Sequence, residues 1–299
     1  MDPKHLVQLA AILEQGSISQ ASRHLHLTQP TLTHNMQTLE MHAGGKLFER
    51  SRFGVRSTAL GEVLAREGRA IARRLKDAVE ASARHQGGMR GSLRLGMGPL
   101  IGAAVAPRLI RKLLDEFPEV HLAIQCDRPH LLVDQLMDGV HDMVIAPSWM
   151  DRPPAGVERF LFTQDDLGVF CGEMHPMAKI GALESGQAKP INWLSLGTAS
   201  PFDQDVRDML KEAGIPAPRI QVRMLGDALG MLGLLAQGTH LAVLPRYPLR
   251  ALADRFALKE LSMPTSSRRR DIHLWCKSNL LEEQAWVDIK NLIVSQSQP

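Results

Sequence analysis

Residues 29–37 carry polar side chains of the kinds that read DNA. Amide and imidazole groups can hydrogen-bond to base edges in a major groove, while hydroxyl groups can bind phosphates. A proline at the second position of this stretch suits the first turn of a helix. The candidate DNA-reading residues are Gln29, Pro30, Thr31, Thr33, His34 and Gln37. The alternative is a plain three-helix bundle whose polar face is only solvated.

A second stretch, residues 96–102, imitates a dinucleotide-binding loop. A strand precedes it, a helix follows it, and Asp127 ends the next strand, which favours an NAD-dependent oxidoreductase as an alternative. However, Ile101 stands in place of the third glycine, and Pro99 removes an amide that would face a pyrophosphate. A helix start of this kind attracts a carboxylate or a sulfonate as readily as a phosphate.

Catalytic and metal chemistry have little support in the sequence. The three cysteines, Cys126, Cys171 and Cys276, form no CxxC pair, and they indicate reduced, buried thiols. The twelve histidines show no metal-binding spacing, and no GxSxG motif is present. We therefore expect no enzyme activity, no catalytic residue, no metal site and no cofactor.

The elements that must position these residues follow from the apolar spacing. Helical spacing recurs over residues 4–14 and 18–25, and again in the segment that begins at Pro30 with Thr28 as its cap. A basic hairpin or wing follows near 51–57, and a long helix runs from Thr58 to about His85. Its apolar stripe is typical of a helix that pairs with a second copy, so we expect a dimer.

Strands and helices alternate after a glycine-rich hinge at 87–91. Strands near 93–97, 120–124 and 142–146 with helices between them predict a parallel sheet. A second such set occupies about 160–264, and the last strand, 273–276, would most simply return to the first sheet. Arg268, Arg269 and Arg270 precede it, and we expect a solvated loop or an oligomer contact there.

Composition places the chain among globular proteins. Of the 299 residues, 44% are hydrophobic and 22% are charged, and no apolar run is long enough for a membrane span. Residues 1–90 hold 13 Lys and Arg against 8 Asp and Glu, whereas the remainder is slightly acidic. A basic N-terminal third suits contact with nucleic acid at one end of the molecule. The N-terminus lacks the features of a signal peptide, so we expect a cytoplasmic protein.

The segment ISQASRHLHLTQPTLTHNMQTLE (18–40), followed by LFER and RSTALGEVL, resembles the DNA-binding domain of LysR-type transcriptional regulators. The matching positions are Leu6, Ala21, Leu25, Gln29, Pro30, Leu39, Glu40, Leu47, Phe48, Arg50, Thr58 and Gly61. The likeness continues more weakly through GVHDMVIAP (139–147) and LLAQGTHLAVLPRYPL (234–249). Residues that differ from the usual pattern include Ser22, Thr28, Thr33 and the pair His34-Asn35.

The resemblance implies a fold and a division of the chain. The fold is α/β with an all-α N-terminal part: a winged helix-turn-helix, a long linker helix and two Rossmann-like lobes similar to periplasmic binding proteins. We expect a DNA-binding domain over 1–58, a dimerisation helix and hinge over 59–90, and an effector-binding domain over 91–299. Its first lobe would hold about 91–160 and 266–299, and its second about 161–265.

The resemblance also implies the partners: double-stranded promoter DNA, a homodimer or homotetramer, a small-molecule effector and RNA polymerase, with a place at the bacterial nucleoid. Arg23, Arg50, Arg52 and Arg56 join the residues of 29–37 as expected DNA contacts. The effector is expected to be an organic acid, most simply an aromatic carboxylate or an arenesulfonate. The remaining alternative is an architectural DNA-binding protein that has no effector.

Effector residues are expected where parallel strands end, because ligands of such sheets bind at the carboxyl ends of the strands. An arginine at 128 or 246 could neutralise an acid, and hydroxyl groups and aromatic rings could orient it. The candidate effector residues are Gly98, Pro99, Leu100, Ile101, Arg128, His130, Ser148, Trp149, Thr198, Ser200, Phe202, Arg246 and Tyr247.

Overall fold

The computed structural model describes residues 1–51, 54–87, 92–183, 191–196, 201–215, 218–264 and 268–297. The chain forms two compact units, Met1–Gly88 and Met89–Pro299. Among the described residues, no helix combines the length and the apolarity needed to cross a membrane.

The N-terminal unit contains three short helices, a two-stranded hairpin and one long helix. These elements are α1 (Pro3–Gln15), α2 (Ile18–His24), α3 (Gln29–Ala43), β1 (Phe48–Ser51), β2 (Gly54–Ser57) and α4 (Ala59–Gly87). Strands β1 and β2 pair antiparallel, with Phe48 opposite Ser57. The predicted winged helix-turn-helix and long helix are thus confirmed.

Local sequence determines where these helices begin. The hydroxyl of Ser17 accepts the backbone N–H of Gln20 at the start of α2, and that of Thr28 accepts the N–H of Thr31 at 3.3 Å. Such caps satisfy backbone N–H groups that have no partner within the helix. Leu9, Leu32 and Leu39 are fully buried where the three helices meet.

Helix α4 packs closely against α1. A Cβ on Gly68 would lie 2.0 Å from the backbone oxygen of Leu6, and a Cβ on Gly61 would lie 1.9 Å from that of Leu47. Both positions therefore require glycine for the close approach. Further along α4, Leu75 and Val79 are 62% and 71% exposed, so the apolar stripe continues beyond the small core.

The second unit contains two five-stranded mixed sheets. The first has the order β4-β3-β5-β12-β6; its strands are β3 (Ser92–Met97), β4 (His121–Cys126), β5 (Met143–Pro147), β6 (Val157–Thr163) and β12 (Ile272–Lys277). Strand β3 runs parallel to β4 and β5, whereas β12 runs antiparallel to β5 and β6. Helices α5 (Pro99–Glu116), α6 (Pro129–Met137) and α11 (Gln284–Ser295) accompany this sheet.

The second sheet has the order β11-β7-β10-β8-β9. Its strands are β7 (Leu167–Gly172), β8 (Asn192–Ser195), β9 (Arg219–Arg223), β10 (Leu241–Pro245) and β11 (Leu258–Leu261). Its helices are α7 (Pro176–Ile180), α8 (Pro201–Glu212), α9 (Ala228–Ala236) and α10 (Arg246–Leu252). Strand β7 pairs antiparallel with β10 and β11, and the remaining pairs are parallel.

The return of residues 273–276 to the first sheet is confirmed, since β12 lies between β5 and β6. The predicted parallel arrangement of the strands near 93–97, 120–124 and 142–146 is confirmed, and β12 and β6 add antiparallel pairs to this sheet. The sequence analysis also missed β6, α7, α10 and β11. These four are short or occupy sheet edges, where apolar periodicity is weak.

Candidate functional site

A cavity of about 100 Å³ lies in the second unit, between residues that follow strands of both sheets. Its walls are mostly apolar, and four of its residues have ionisable side chains. The lining comprises Gly98, Pro99, Leu100, Ile101, Arg128, Pro129, His130, Pro147, Trp149, Asp165, Leu196, Phe202, Gly226, Ala228, Pro245, Arg270 and Ile272.

The position of the cavity follows from the topology. Strands β3 and β4 run parallel, so the loops that follow them lie at the same sheet edge. Gly98 caps α5 and Arg128 caps α6 with extended backbone and without a side-chain hydrogen bond. Helix α5 therefore begins at the cavity without a side-chain cap, which favours a negatively charged ligand, whereas a carboxylate oxygen of Asp127 accepts the N–H of Arg128 at the start of α6.

The glycines of 96–102 are explained by packing within this unit. A Cβ on Gly96 would lie 2.9 Å from the ring of His141, and a Cβ on Gly102 would lie 2.5 Å from Sγ of Cys126. Only Gly98 of the three lines the cavity. The glycine spacing therefore does not require a pyrophosphate to account for it.

Two of the four ionisable lining residues, Arg128 and His130, lie where the sequence predicted them. Arg128 is partly buried, and within the described part of the chain no carboxylate forms an ion pair with it. Beside it, burial lowers the pKa of His130, and the charge of Arg128 lowers it further. The neighbouring Asp127 accepts the N–H of Arg128 at 2.6 Å and an N–H of Gln135 at 2.9 Å. These bonds fix the start of α6 and thereby the position of Arg128.

The other two, Asp165 and Arg270, were missed by the sequence analysis. The expectation of a solvated loop or oligomer contact at Arg268–Arg270 is wrong for Arg270, whose side chain is 14% exposed and lines the cavity. The backbone N–H of Arg270 donates to the carbonyl of Asp165 at 2.6 Å. Burial lowers the pKa of Arg270 to about 10 and raises that of Asp165 to about 6. A buried charge adjacent to a predicted strand leaves no signature in local periodicity.

Aromatic residues from both sides line the same cavity. Phe202 stands in the first turn of α8, with its ring centroid 4.7 Å from the guanidinium carbon of Arg270. Trp149 follows β5 and packs near Trp275, with ring centroids 6.4 Å apart. These two rings were predicted as effector contacts, and the structure brings them to one cavity.

Three of the predicted effector residues do not line the cavity. Arg246 forms ion pairs with Asp166 at 2.8 Å and Glu260 at 2.6 Å, so its charge is already neutralised. Tyr247 is 4% exposed and packs edge-on against Phe162 in the core of the first sheet. Ser148 accepts a hydrogen bond from Arg159 and donates one to the carbonyl of Met150. Thr198 and Ser200 lie outside the described residues.

The N-terminal unit presents the second candidate site on α3. Gln29, Thr31, His34 and Gln37 are exposed there, while Leu32, Met36 and Leu39 on the opposite face are buried. A shallow groove is lined by Gln29, Pro30, Thr33, His34 and Gln37. The hydroxyl of Thr31 lies 2.7 Å from that of Thr28, so it helps to cap the helix. Five of the six predicted side chains therefore line one groove, and Thr31 lies outside it.

The structure describes the side chains of two of the four arginines predicted to contact DNA. Arg23 on α2 and Arg56 on β2 are exposed, and Nε of Arg23 donates to the carbonyl of Ser19 at 3.4 Å. The backbone of Arg50 lies in β1, but its side chain, like the whole of Arg52, lies outside the described residues. Among the residues the structure describes, no cluster of three His, Cys, Asp or Glu side chains could hold a metal ion.

Two family models match this chain. "Bacterial regulatory helix-turn-helix protein, lysR family" matches residues 3–62, and "LysR substrate binding domain" matches residues 86–287. Together they span the α3 face and the cavity described above.

Relatives and solved structures of similar length agree with these matches. The chain is 25% identical to the HTH-type transcriptional regulator YofA of Bacillus velezensis, with 97% of both chains covered. It is 24% identical to the nitrogen assimilation regulatory protein nac of Escherichia coli, covering 99% of this chain and 95% of that protein. The crystal structure of CbnR, a LysR family transcriptional regulator, has the same fold with a TM-score of 0.67 at 21% identity and complete coverage of both chains.

Proposed function

Since the chain belongs to the LysR family of DNA-binding transcriptional regulators, we propose that its cavity senses a small organic acid, with an aromatic carboxylate or sulfonate as the preferred class. The observation that carries this proposal is the combination of an apolar wall with Arg128, Arg270 and two helix starts in one cavity. Such a site favours binding of a ligand that carries a negative group on an apolar body.

The chemistry of the lining supports a ring-bearing ligand. Phe202 and Trp149 offer aromatic faces, against which a ring packs with favourable offset or edge-on geometry. His130 stands beside Arg128 and can donate or accept a hydrogen bond to a polar substituent. Gly98, Pro99, Leu100 and Ile101 supply the apolar wall at the start of α5.

We assign DNA reading to the outer face of α3. Gln29, His34 and Gln37 are assigned to base edges, and Thr33 is assigned to a phosphate. Pro30 shapes the helix start and Thr31 supports its cap. Arg23, Arg50, Arg52 and Arg56 are assigned to the DNA backbone, which would make affinity strongly dependent on salt. Two such helices in a dimer would enter successive major grooves of a pseudo-palindromic site.

We assign 1–58 to the DNA-binding domain, 59–90 to the dimerisation helix and hinge, and 91–299 to effector binding. In the mechanism that we favour, the effector shifts the two lobes, and α4 transmits the change to DNA. A coupling of about 1–3 kcal/mol is typical of such regulation. Contact with RNA polymerase and a place at the cytoplasmic nucleoid follow from this role.

The DNA-reading assignment is tested by binding measurements on sequences that the protein selects from a random duplex pool. For Gln29→Ala and His34→Ala we expect relaxed sequence preference, at about 1–3 kcal/mol for each lost base contact. Arg56→Gln should weaken binding to selected and random DNA alike and reduce the salt slope by about 1. If Gln29→Ala left both affinities unchanged, the assignment to base reading would be wrong.

The acid-sensing assignment is tested by thermal unfolding with aromatic and aliphatic carboxylates, arenesulfonates and NAD(H). A ligand at about 100 times its dissociation constant adds about 2.7 kcal/mol to the stability of the unit that binds it. Stabilisation by an acid supports the sensor, whereas stabilisation by NAD(H) alone would favour the oxidoreductase. An absence of any stabilisation would favour the architectural protein.

A further inference from the structure

Three consecutive arginines, Arg268, Arg269 and Arg270, have entirely different surroundings. Arg268 pairs with carboxylates along α8, those of Asp205 at 3.2 Å, Asp208 at 3.7 Å and Glu212 at 3.4 Å. Arg269 is 65% exposed and pairs with Asp271 at 2.8 Å. Arg270 alone of the three lines the cavity. This short segment leads from the second sheet into β12 of the first.

The side chain of Arg270 is largely buried, at 14% exposed, and among the described residues its guanidinium donates no hydrogen bond. Its Nε lies 4.0 Å from Asp205, and among the described residues that carboxylate is the only one within this distance. Burial of a charge without hydrogen bonds is costly, and the lowered pKa reports that cost.

One face of this guanidinium is covered by Phe202 at 4.7 Å. This cation–π contact is electrostatic and uses no N–H···acceptor bond, so the guanidinium N–H groups remain for hydrogen bonds. Two parallel N–H groups in one plane match the two oxygens of a carboxylate or sulfonate. Arg246 is unsuited to this task because two carboxylates already occupy it.

We propose that Arg270 is the residue that selects an anionic effector, and that the acid of the effector replaces Asp205 as its counterion. This inference rests on the proposed acid-sensing function. After the exchange, Asp205 keeps its existing ion pair with Arg268. No bond is made or broken beyond hydrogen bonds and ion pairs. A neutral amide of the same shape would not displace Asp205.

The exchange gives the cavity a route to α8. Asp205 stands on α8 between Arg268 and Arg270, so its pairing reports whether the cavity holds an acid. Occupancy of the cavity by an acid thus changes the ion pairs between α8 and the segment that leads into β12. Arg268 keeps Asp208 and Glu212 in both states, which retains α8 while its position is adjusted.

The test measures calorimetric binding of benzoate, benzenesulfonate and benzamide to the full-length protein and three variants. We expect wild type to bind at least one acid and not the amide. Arg270→Gln should weaken acid binding about 10- to 100-fold, the usual range for a charged hydrogen-bond pair. The matched control, Arg269→Gln, removes a neighbouring exposed charge that pairs with Asp271 outside the cavity, and it should change affinity less than about threefold.

Asp205→Asn separates the proposal from simple damage to the fold. Because this substitution removes the competing carboxylate, acid binding should tighten severalfold, a direction that a damaged cavity does not produce. If Arg270→Gln bound the same acid as tightly as wild type, or if Asp205→Asn weakened binding, the inference would be overturned while acid sensing stood. If wild type bound neither acid, the acid-sensing proposal would fail and this inference with it.

Discussion

One carboxylate oxygen of Asp165 accepts the backbone N–H of Tyr247 at 2.7 Å. The backbone carbonyl of the same residue accepts the N–H of Arg270. Asp165 therefore joins the start of α10 to the segment that leads into β12, at the wall of the cavity. The residue is 4% exposed, and its burial has consequences for the dependence of stability on pH.

The substitution Asp165→Asn should reduce the dependence of the free energy of unfolding on pH. Burial raises the pKa of Asp165 from 3.8 to about 6, against the opposing charge of Arg270. Because the folded pKa lies above the unfolded one, the stabilisation is complete below about pH 4 and is lost as the pH rises through about 6. At about 1.36 kcal/mol per pKa unit, wild type should lose up to about 3 kcal/mol more than the variant over this range.

The measurement is urea unfolding between pH 4 and pH 7.5, followed by tryptophan fluorescence. All four tryptophans lie at positions 149, 193, 275 and 286, within the second unit, so the signal reports that unit. Parallel curves for wild type and Asp165→Asn across this range would contradict the prediction.

Gly68→Ala should destabilise the N-terminal unit. Alanine ordinarily favours a helix, but its Cβ would lie 2.0 Å from the backbone oxygen of Leu6, which cannot yield without separating α1 from α4. We expect a loss of about 1–3 kcal/mol, as for overpacked interiors. Hydrogen exchange of the α1 and α4 amides measures it.

Gly233→Ala is the matched control, because nothing lies within 4 Å of a Cβ at that position of α9. It should stabilise the second unit by up to about 1 kcal/mol through helix propensity. Protection in α1 and α4 that is unchanged by Gly68→Ala would refute the close-packing explanation.

Arg94→Met should destabilise the protein far more than the removal of an exposed ion pair does. Arg94 donates from Nη2 and Nε to Asp142 at 2.7 and 3.1 Å, and its backbone N–H donates to the same carboxylate. Asp142 is 7% exposed, so the lone carboxylate would be left buried, at about 3–5 kcal/mol. Arg207→Met breaks the pair with Asp203 at a half-exposed guanidinium and should cost less than about 1 kcal/mol. Equal losses in urea unfolding would show that burial does not control this interaction.

The double variant Leu75→Glu with Val79→Glu should disrupt a dimer built on α4. Both side chains are largely exposed and continue the apolar stripe of the helix, and a buried carboxylate in a helix pair is unfavourable. We expect sedimentation to show a lower mass than that of wild type. Arg74→Glu, an exposed position on another face of the helix, should leave the mass unchanged. A double variant that kept the mass of wild type would place the dimer contact elsewhere.

The sequence was sufficient for the elements whose signals are local. The cap at Thr28, the proline at 30 and the apolar spacing of Leu32, Met36 and Leu39 are all within one helix, and the structure contains that helix with those contacts. The loop at 98–101, which lines the cavity, was likewise predictable, because a strand followed by a glycine and a helix start puts that loop at the sheet edge.

Only the tertiary structure decided which arginine is neutralised by ion pairs and which one lines the cavity. Arg246 and Arg270 look alike in sequence, and both stand beside predicted strands. The partners that distinguish them are distant along the chain. Asp166 and Glu260 neutralise Arg246, whereas Arg270 contacts Phe202 and lies 4.0 Å from Asp205. Local periodicity determines where a helix or strand forms, but whether a charge is neutralised or left for a ligand depends on which distant residues the fold brings within a few ångströms of it.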